Sequence, residues 1–229
     1  MLVATGRMFR SVEPYLRQAG IGEPVVCYQG AAVVDPGSGT FLLHEPLDLA
    51  VAREAVAALL ALGLSPNVYV DDELYVAEET EYSRAYSGFQ NLPVTEVGDI
   101  LAWLDRPPTK LVAVAEPEVL ARVRVGLERR FDGRVFVTTS LPHLLELGNP
   151  AVTKGSGLTF VAAQLGLDLE RVVAFGDGEN DVELLDVAGF AVAVGDAHPR
   201  LRAIADWTCG GPQDEGVARV IDAALDSVT

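Results

Sequence analysis

Lysine is almost missing from this chain. Of its 17 basic residues only Lys110 and Lys154 are lysine, and arginine takes every other basic position. A lysine kept against that bias points to a site that needs a compact ammonium. Cysteine is scarce too. Cys27 and Cys209 both sit in apolar runs and form neither a disulfide framework nor a metal-binding spacing, so both are expected to be buried thiols. No apolar run approaches the roughly 20 residues that span a bilayer. The start, MLVATGRMFR, is too short for a secretory signal and carries its arginines on the wrong side. The cytoplasm is therefore the expected compartment. A basic surface is lacking as well. The net charge of −16 argues against nucleic acid or an anionic membrane as partner. A small phosphorylated ligand, which needs only a few local cations, stays open. His44, His143 and His198 are scattered, and Ser38, Ser140 and Ser156 lack a nucleophile elbow, so structural or surface roles are expected for all six.

What is present is a globular chain of 229 residues, 49% hydrophobic, long enough for one or two domains. Its organising stretch is 172–181, VVAFGDGEND. Four apolar residues read as a short buried strand that stops at Gly176. Asp177 and Asp181 follow, separated by a Gly178-containing turn, and the helical pattern VELLDVAG comes next. A loop of this kind lies at the carboxyl end of a sheet, where open α/β folds bind ligands. Two hard oxygen ligands there suit a Mg²⁺ that keeps most of its waters. Helix capping by Asn180 with Glu183, and a dipole role for Asp181, is the plainer alternative. It leaves Asp177 and both glycines unexplained.

In chain order, an apolar strand run at 2–4 ends in Thr5-Gly6-Arg7. A helix follows with Ser11 as N-cap, then a strand at 24–28 and a hairpin over 31–44. From about Leu47 the rhythm changes. A helix over 48–62, strands near 66–70 and 74–77, a polar irregular patch over 78–93, a strand at 110–115, a helix at 117–131 and strands at 135–139 and 143–147 read as one inserted α/β unit. The doubly wound pattern then resumes, closing with the helix 216–227. The expected organisation is a doubly wound, mostly parallel α/β core of residues 1–46 and 148–229 with an α/β insert at 47–147. The short connections near Pro46 and Gly148–Pro150 are expected to act as hinges. Asp71, Asp72 and Glu73 read as a solvated charge run at a hairpin tip. Lys154 opposes the macrodipole at the start of its helix, a placement that a bound phosphate would make favourable. For Thr5, the TGR triplet alone favours a simple helix cap over an anion pocket.

Thr5-Gly6-Arg7, Lys154 and the GDGEND turn, in that order, resemble the haloacid dehalogenase superfamily. The insert between the threonine and lysine motifs resembles its Cof-like branch, which carries a large α/β cap. The resemblance runs nearly end to end, through Tyr28, Gly30 and Ala31 and the closing EGVARVI helix. It implies a Mg²⁺-dependent phosphatase that hydrolyses a small phosphorylated metabolite through a phospho-aspartyl intermediate, as a monomer or homodimer. By the resemblance Asp177 ligates Mg²⁺ and Asp181 supports it, directly or through water. Thr5 and Lys154 hold the transferring phosphoryl group, and Asn180 helps to position the phosphate or the nucleophile. Gly6, Arg7, Gln29 and Gly30 lie on the substrate side, with Gln29 standing where the family usually has asparagine. Tyr69, Asp71, Tyr75 and Glu146 of the insert are candidates for substrate selection. The family's nucleophile lies in a DxDGT motif ahead of the threonine motif, and no Asp-x-Asp occurs in this chain. The expectation is therefore that Met1 is an internal methionine or a misassigned start, with roughly 30–40 residues, one βα unit, upstream. The alternative is a non-catalytic relative that binds a phosphorylated ligand or a protein partner.

Overall fold

The computed structural model describes residues 1–226, Phe89 by its backbone alone. Residue 227, the expected end of the last helix, lies outside them. The chain forms two compact units, Met1–Val152 and the segment from Thr153 on.

The first unit begins with residues 3–5, which pair parallel to β1 (Val25–Cys27) through a single bridge, Ala4 with Val26. Helix α1 (Phe9–Ala19) lies between them in sequence, and β2 (Ala32–Asp35) and β3 (Thr40–His44) form the expected hairpin on β1. Next come α2 (Leu49–Ala61), β4 (Pro66–Val70), β5 (Glu73–Val76), α3 (Glu81–Gln90), β6 (Val94–Glu96) and α4 (Ile100–Trp103). The unit ends with β7 (Lys110–Val114), α5 (Pro117–Arg130), β8 (Phe136–Leu141) and β9 (Leu144–Gly148). Strands β4 to β9 make one six-stranded sheet in the order β6-β5-β4-β7-β9-β8, antiparallel except at the β5–β6 edge.

Side-chain alternation splits that sheet cleanly. Val68, Val70, Leu111, Ala113, Leu145 and Leu147 face a core that includes Ala55, Leu59, Leu120 and Leu127 of α2 and α5. Tyr69, Val112 and Leu144 face the other way, into a core shared with Met8, Phe9, Leu16, Val25 and Val34. The insert thus shares buried apolar surface with residues 1–46.

Three readings need correction. The patch over 78–93 holds a helix, α3, opened by a capping box of Thr80 and Ser83. Its sequence, EYSRAYSGFQ, does carry a helical period at Tyr82, Ala85, Tyr86 and Phe89, but the polar residues and the glycine between them mask it. Ser11 is not an N-cap. It is buried inside α1, with its hydroxyl donating to the Gln90 carbonyl at 2.8 Å. Asp72 is not solvated. It is buried, and its carboxylate accepts from Phe9 N at 3.0 Å, Arg10 N at 2.9 Å and the Tyr28 hydroxyl at 2.6 Å. The hairpin tip itself carries the residue there, since Asp71 and Asp72 both adopt positive φ in the two-residue turn between β4 and β5.

The second unit runs α6 (Lys154–Leu165), β10 (Val173–Gly176), α7 (Val182–Asp186), β11 (Phe190–Val194), α8 (Pro199–Ile204), β12 (Trp207–Cys209) and α9 (Gly216–Asp226). Its three strands are parallel in the order β10-β11-β12, joined by helices in the βαβ manner. The fold is α/β, with this parallel sheet and a mostly antiparallel inserted one.

Candidate functional site

In the second unit, β10 delivers Gly176 to the loop and Asp181 closes it. One Asp181 oxygen, Oδ2, accepts from the amides of Asp177 at 3.1 Å and Gly178 at 3.0 Å. The other, Oδ1, accepts from Lys154 Nζ at 2.5 Å. This pair is buried, Lys154 being 8% and Asp181 5% exposed. Lys154 is therefore not a surface lysine. Its partner offsets the unfavourable placement at the start of α6, where the capping box of Thr153 and Ser156 satisfies the free amides. Close helix approach sets the geometry. A Cβ on Gly155 would fall 2.1 Å from the Glu183 carbonyl oxygen, so only glycine lets α6 and α7 come this near.

Asp177 is held differently. Its amide is bound by Asp181, and its carbonyl accepts from His198 N at 2.8 Å. Its side chain is exposed and bonds to no described group. A fixed backbone thus presents a free carboxylate. Asn180 lies partly buried in the same short 3₁₀ turn, Glu179–Asp181. Among the described bonds none joins Asn180 to Glu183; the turn is closed instead by Asp181 on Gly178.

In the first unit the Thr5-Gly6-Arg7 turn is tied down by its carbonyls. Thr5 O accepts from Gln29 N at 3.1 Å, and Arg7 O from Tyr28 N at 3.0 Å. Gly6 O accepts from Lys110 Nζ at 2.9 Å. Thr5 Oγ1 accepts from Arg7 N at 3.1 Å. Among the described residues, the Gly6 amide and the Thr5 hydroxyl proton donate to no group. Thr5 does not cap α1, whose first amides belong to Asp72. Tyr28 and Gln29 answer the turn with φ of 53° and 60°, followed by Gly30 at 108°. Two consecutive left-handed side-chain-bearing residues are a strained arrangement of the kind that collects at working sites.

The family model for haloacid dehalogenase-like hydrolases matches residues 1–221. The chain belongs to the haloacid dehalogenase-like hydrolases. It is 29% identical over 229 residues to the 5-amino-6-(5-phospho-D-ribitylamino)uracil phosphatase YitU of Bacillus subtilis, covering 96% of this chain and 82% of that one. An HMP-PP phosphatase of Serratia proteamaculans is 30% identical over 205 residues, 88% of this chain and 73% of its own. The crystal structure of TM0651 from Thermotoga maritima superposes with a TM-score of 0.84 at 28% identity, covering 97% of this chain and 84% of that one. By this kinship the chain is a phosphatase of the haloacid dehalogenase type.

Members of the family imply Mg²⁺, and the residues present can be tested against it. Among the described residues no three His, Cys, Asp or Glu side chains gather at one point. Asp177 does fit, as a hard oxygen donor without a competing partner among the described residues, for an ion that keeps several waters. Asp181, with both oxygens engaged by protein donors, fits as the residue that shapes the loop and seats Lys154.

Sequence reasoning missed the cluster around Lys110. Its Nζ bonds Glu146 Oε2 at 3.0 Å as well as Gly6 O, and lies over the rings of Tyr69 and Tyr28 at 5.2 and 5.9 Å. Burial pulls the Lys110 ammonium down, but the charge of Glu146, the neighbouring Tyr86 and the Glu146 hydrogen bond together hold it above its ordinary value. The rarity of lysine was the signal available for it. Tyr69 and Glu146, read as candidates for substrate selection, are both buried, with Tyr69 donating to the Tyr86 hydroxyl at 2.6 Å.

Proposed function

We propose that the chain is a Mg²⁺-dependent phosphomonoesterase for a small phosphorylated metabolite, working through a phospho-aspartyl intermediate. The observation that carries this is the 176–181 loop, where a pinned backbone presents the free Asp177 carboxylate and Asp181 seats the buried Lys154. Asp177 would hold the Mg²⁺, which supplies charge neutralisation of the phosphoryl oxygens when bound. Lys154 and the free donors of Thr5 and Gly6 would hold the transferring group, acting where the transition state gathers negative charge. Asn180 would help to orient it, and Arg7, Gln29 and Gly30 would lie toward the rest of the substrate. Residues 1–46 and 148–229 would form the catalytic core, with 47–147 as the cap. The named substrates of the two relatives, a phosphorylated ribitylaminouracil and HMP-PP, support a metabolite carrying a terminal phosphoryl group.

In the reaction an aspartate oxygen forms a bond to phosphorus while the ester oxygen leaves and takes up a proton. Water then forms the next P–O bond, releasing the carboxylate and inorganic phosphate. No Asp-x-Asp occurs in the 229 residues, so the attacking carboxylate is assigned to none of them. That same feature favours, as second reading, a protein that binds phosphate esters without turning them over.

One assay separates the two. The 229-residue chain and a version extended to any earlier in-frame start are given p-nitrophenyl phosphate with Mg²⁺ or with a chelator. The extended version should turn over only with Mg²⁺, and Asp177→Asn should lower its kcat/KM by at least about 10²-fold. Phosphate binding without turnover by either version would favour the second reading. Turnover by the 229-residue chain alone would exclude an Asp-x-Asp nucleophile.

A further inference from the structure

We infer that Lys110 is a positioning residue for phosphoryl transfer, fixing the Thr5-Gly6-Arg7 turn through the Gly6 carbonyl so that the Gly6 amide and Thr5 hydroxyl meet the phosphoryl group. The inference rests on the phosphatase reading for what that turn binds.

Lys110 stands on β7 and Glu146 on β9, diagonal neighbours on one sheet face because Val112 pairs with Glu146. Both are 5% exposed. An ion pair this deep is weak evidence for stability, since apolar residues of similar volume often serve as well. Its geometry points instead to the turn. Of the three carbonyls of Thr5, Gly6 and Arg7, two are held by backbone amides of the Tyr28–Gln29 segment, and the middle one by Lys110 alone. Of the three residues, Gly6 is also the one whose own N–H, in the peptide just before that carbonyl, donates to no described group. Gln29 packs against the same residue, so a Cβ on Gly6 would fall 2.4 Å from Gln29 Nε2. Lys110 is not placed to touch a metabolite. The recess bordered by Gln29, Lys110, Glu146 and Asn149 has a volume of about 10 Å³, room for a single water. The ammonium is also enclosed by two tyrosine rings. Its remaining effect is on the orientation of the turn.

The test uses the turnover-competent protein and a double variant, Lys110→Met with Glu146→Leu, which removes both charges and so leaves none buried alone. Orthophosphate serves as ligand and p-nitrophenyl phosphate as substrate. The double variant should melt cooperatively, yet lose on the order of 10²-fold in kcat/KM, mostly in kcat, the loss expected from a displaced binding group. Its Gly6 amide resonance should not shift on adding orthophosphate, whereas that of the parent should. Lys110→Arg, which keeps a cation and a donor, should restore much of both. A folded double variant with parental kcat and a parental Gly6 shift overturns the proposal. A double variant that does not fold overturns it too, by making the pair structural. Thr5→Ala and Asp177→Asn run alongside. If they are also silent, the phosphatase reading has failed; if they are inactive while the double variant is not, only the role of Lys110 has.

Discussion

Both Asp181 oxygens are engaged, whereas the Asp177 carboxylate four residues earlier bonds to no described group, and replacing each by asparagine should therefore do different things. Asp181→Asn leaves the Lys154 ammonium buried without its counter-charge and should cost about 3–5 kcal/mol of folding stability. Asp177→Asn at an exposed, unpartnered position should stay within about 0.5 kcal/mol. Urea denaturation of the two variants reads this directly, and equal losses would contradict the assignment. At this scale the sequence was legible where the spacing is local. GDGEND, with its two aspartates and turn glycine, is complete within six residues. The bond from Lys154 to Asp181 spans 27 positions, and that from Lys110 to Gly6 spans 104, so neither partner can be read from spacing. Gly155 looks like any small helix residue until the Glu183 carbonyl is placed beside it.

At the scale of elements, the start of α1 depends on a residue some sixty positions away. Met8, at the N-cap, offers no side-chain acceptor, and Asp72 supplies both oxygens to the first two amides. Burial pushes the Asp72 carboxyl up, while the donors from Tyr28 and the two amides pull the other way. Asp72→Ala should remove a cap worth about 0.5–2 kcal/mol. It should also strand the buried Tyr28 hydroxyl, a further loss of about 1–3 kcal/mol. Denaturation midpoints measure the sum, and amide exchange should quicken through α1 first. A loss below about 0.5 kcal/mol would mean that water replaces the carboxylate at no cost. Elements built on continuous apolar runs, such as α2 and β7, were legible close to their ends. Helix α3 was not, because its apolar positions, two tyrosines, an alanine and a phenylalanine, are diluted by serines, charges and a glycine, and its start is signalled only by Thr80 and Ser83. Asp72 was misread because charge at a hairpin tip signals solvent unless the helix it caps is already known.

For the molecule as a whole, the first unit gathers Tyr28, Tyr69, Tyr86 and Lys110 in one buried cluster. Burial is the main reason that the three phenols are held above their ordinary value of 10.0, and Glu146 with Tyr86 keeps the Lys110 amine above 10.5 against the pull of burial. All four folded-state values lie above the unfolded ones, so the folded chain binds more protons once pH passes about 10. Their contribution is complete below the unfolded values and is lost as pH rises through the folded ones. Thermal midpoints should fall steeply above pH 10, and the slope should flatten in Tyr69→Phe. A midpoint unchanged to pH 11.5 would count against the cluster. The two lysines carry one more consequence. Lys110 and Lys154 are the whole lysine content of the chain, and each lies buried with its amine bound to a carboxylate. Amine-directed reagents therefore find neither of these lysines on the folded surface, and an adduct at Lys110 or Lys154 times the opening of the interior around it.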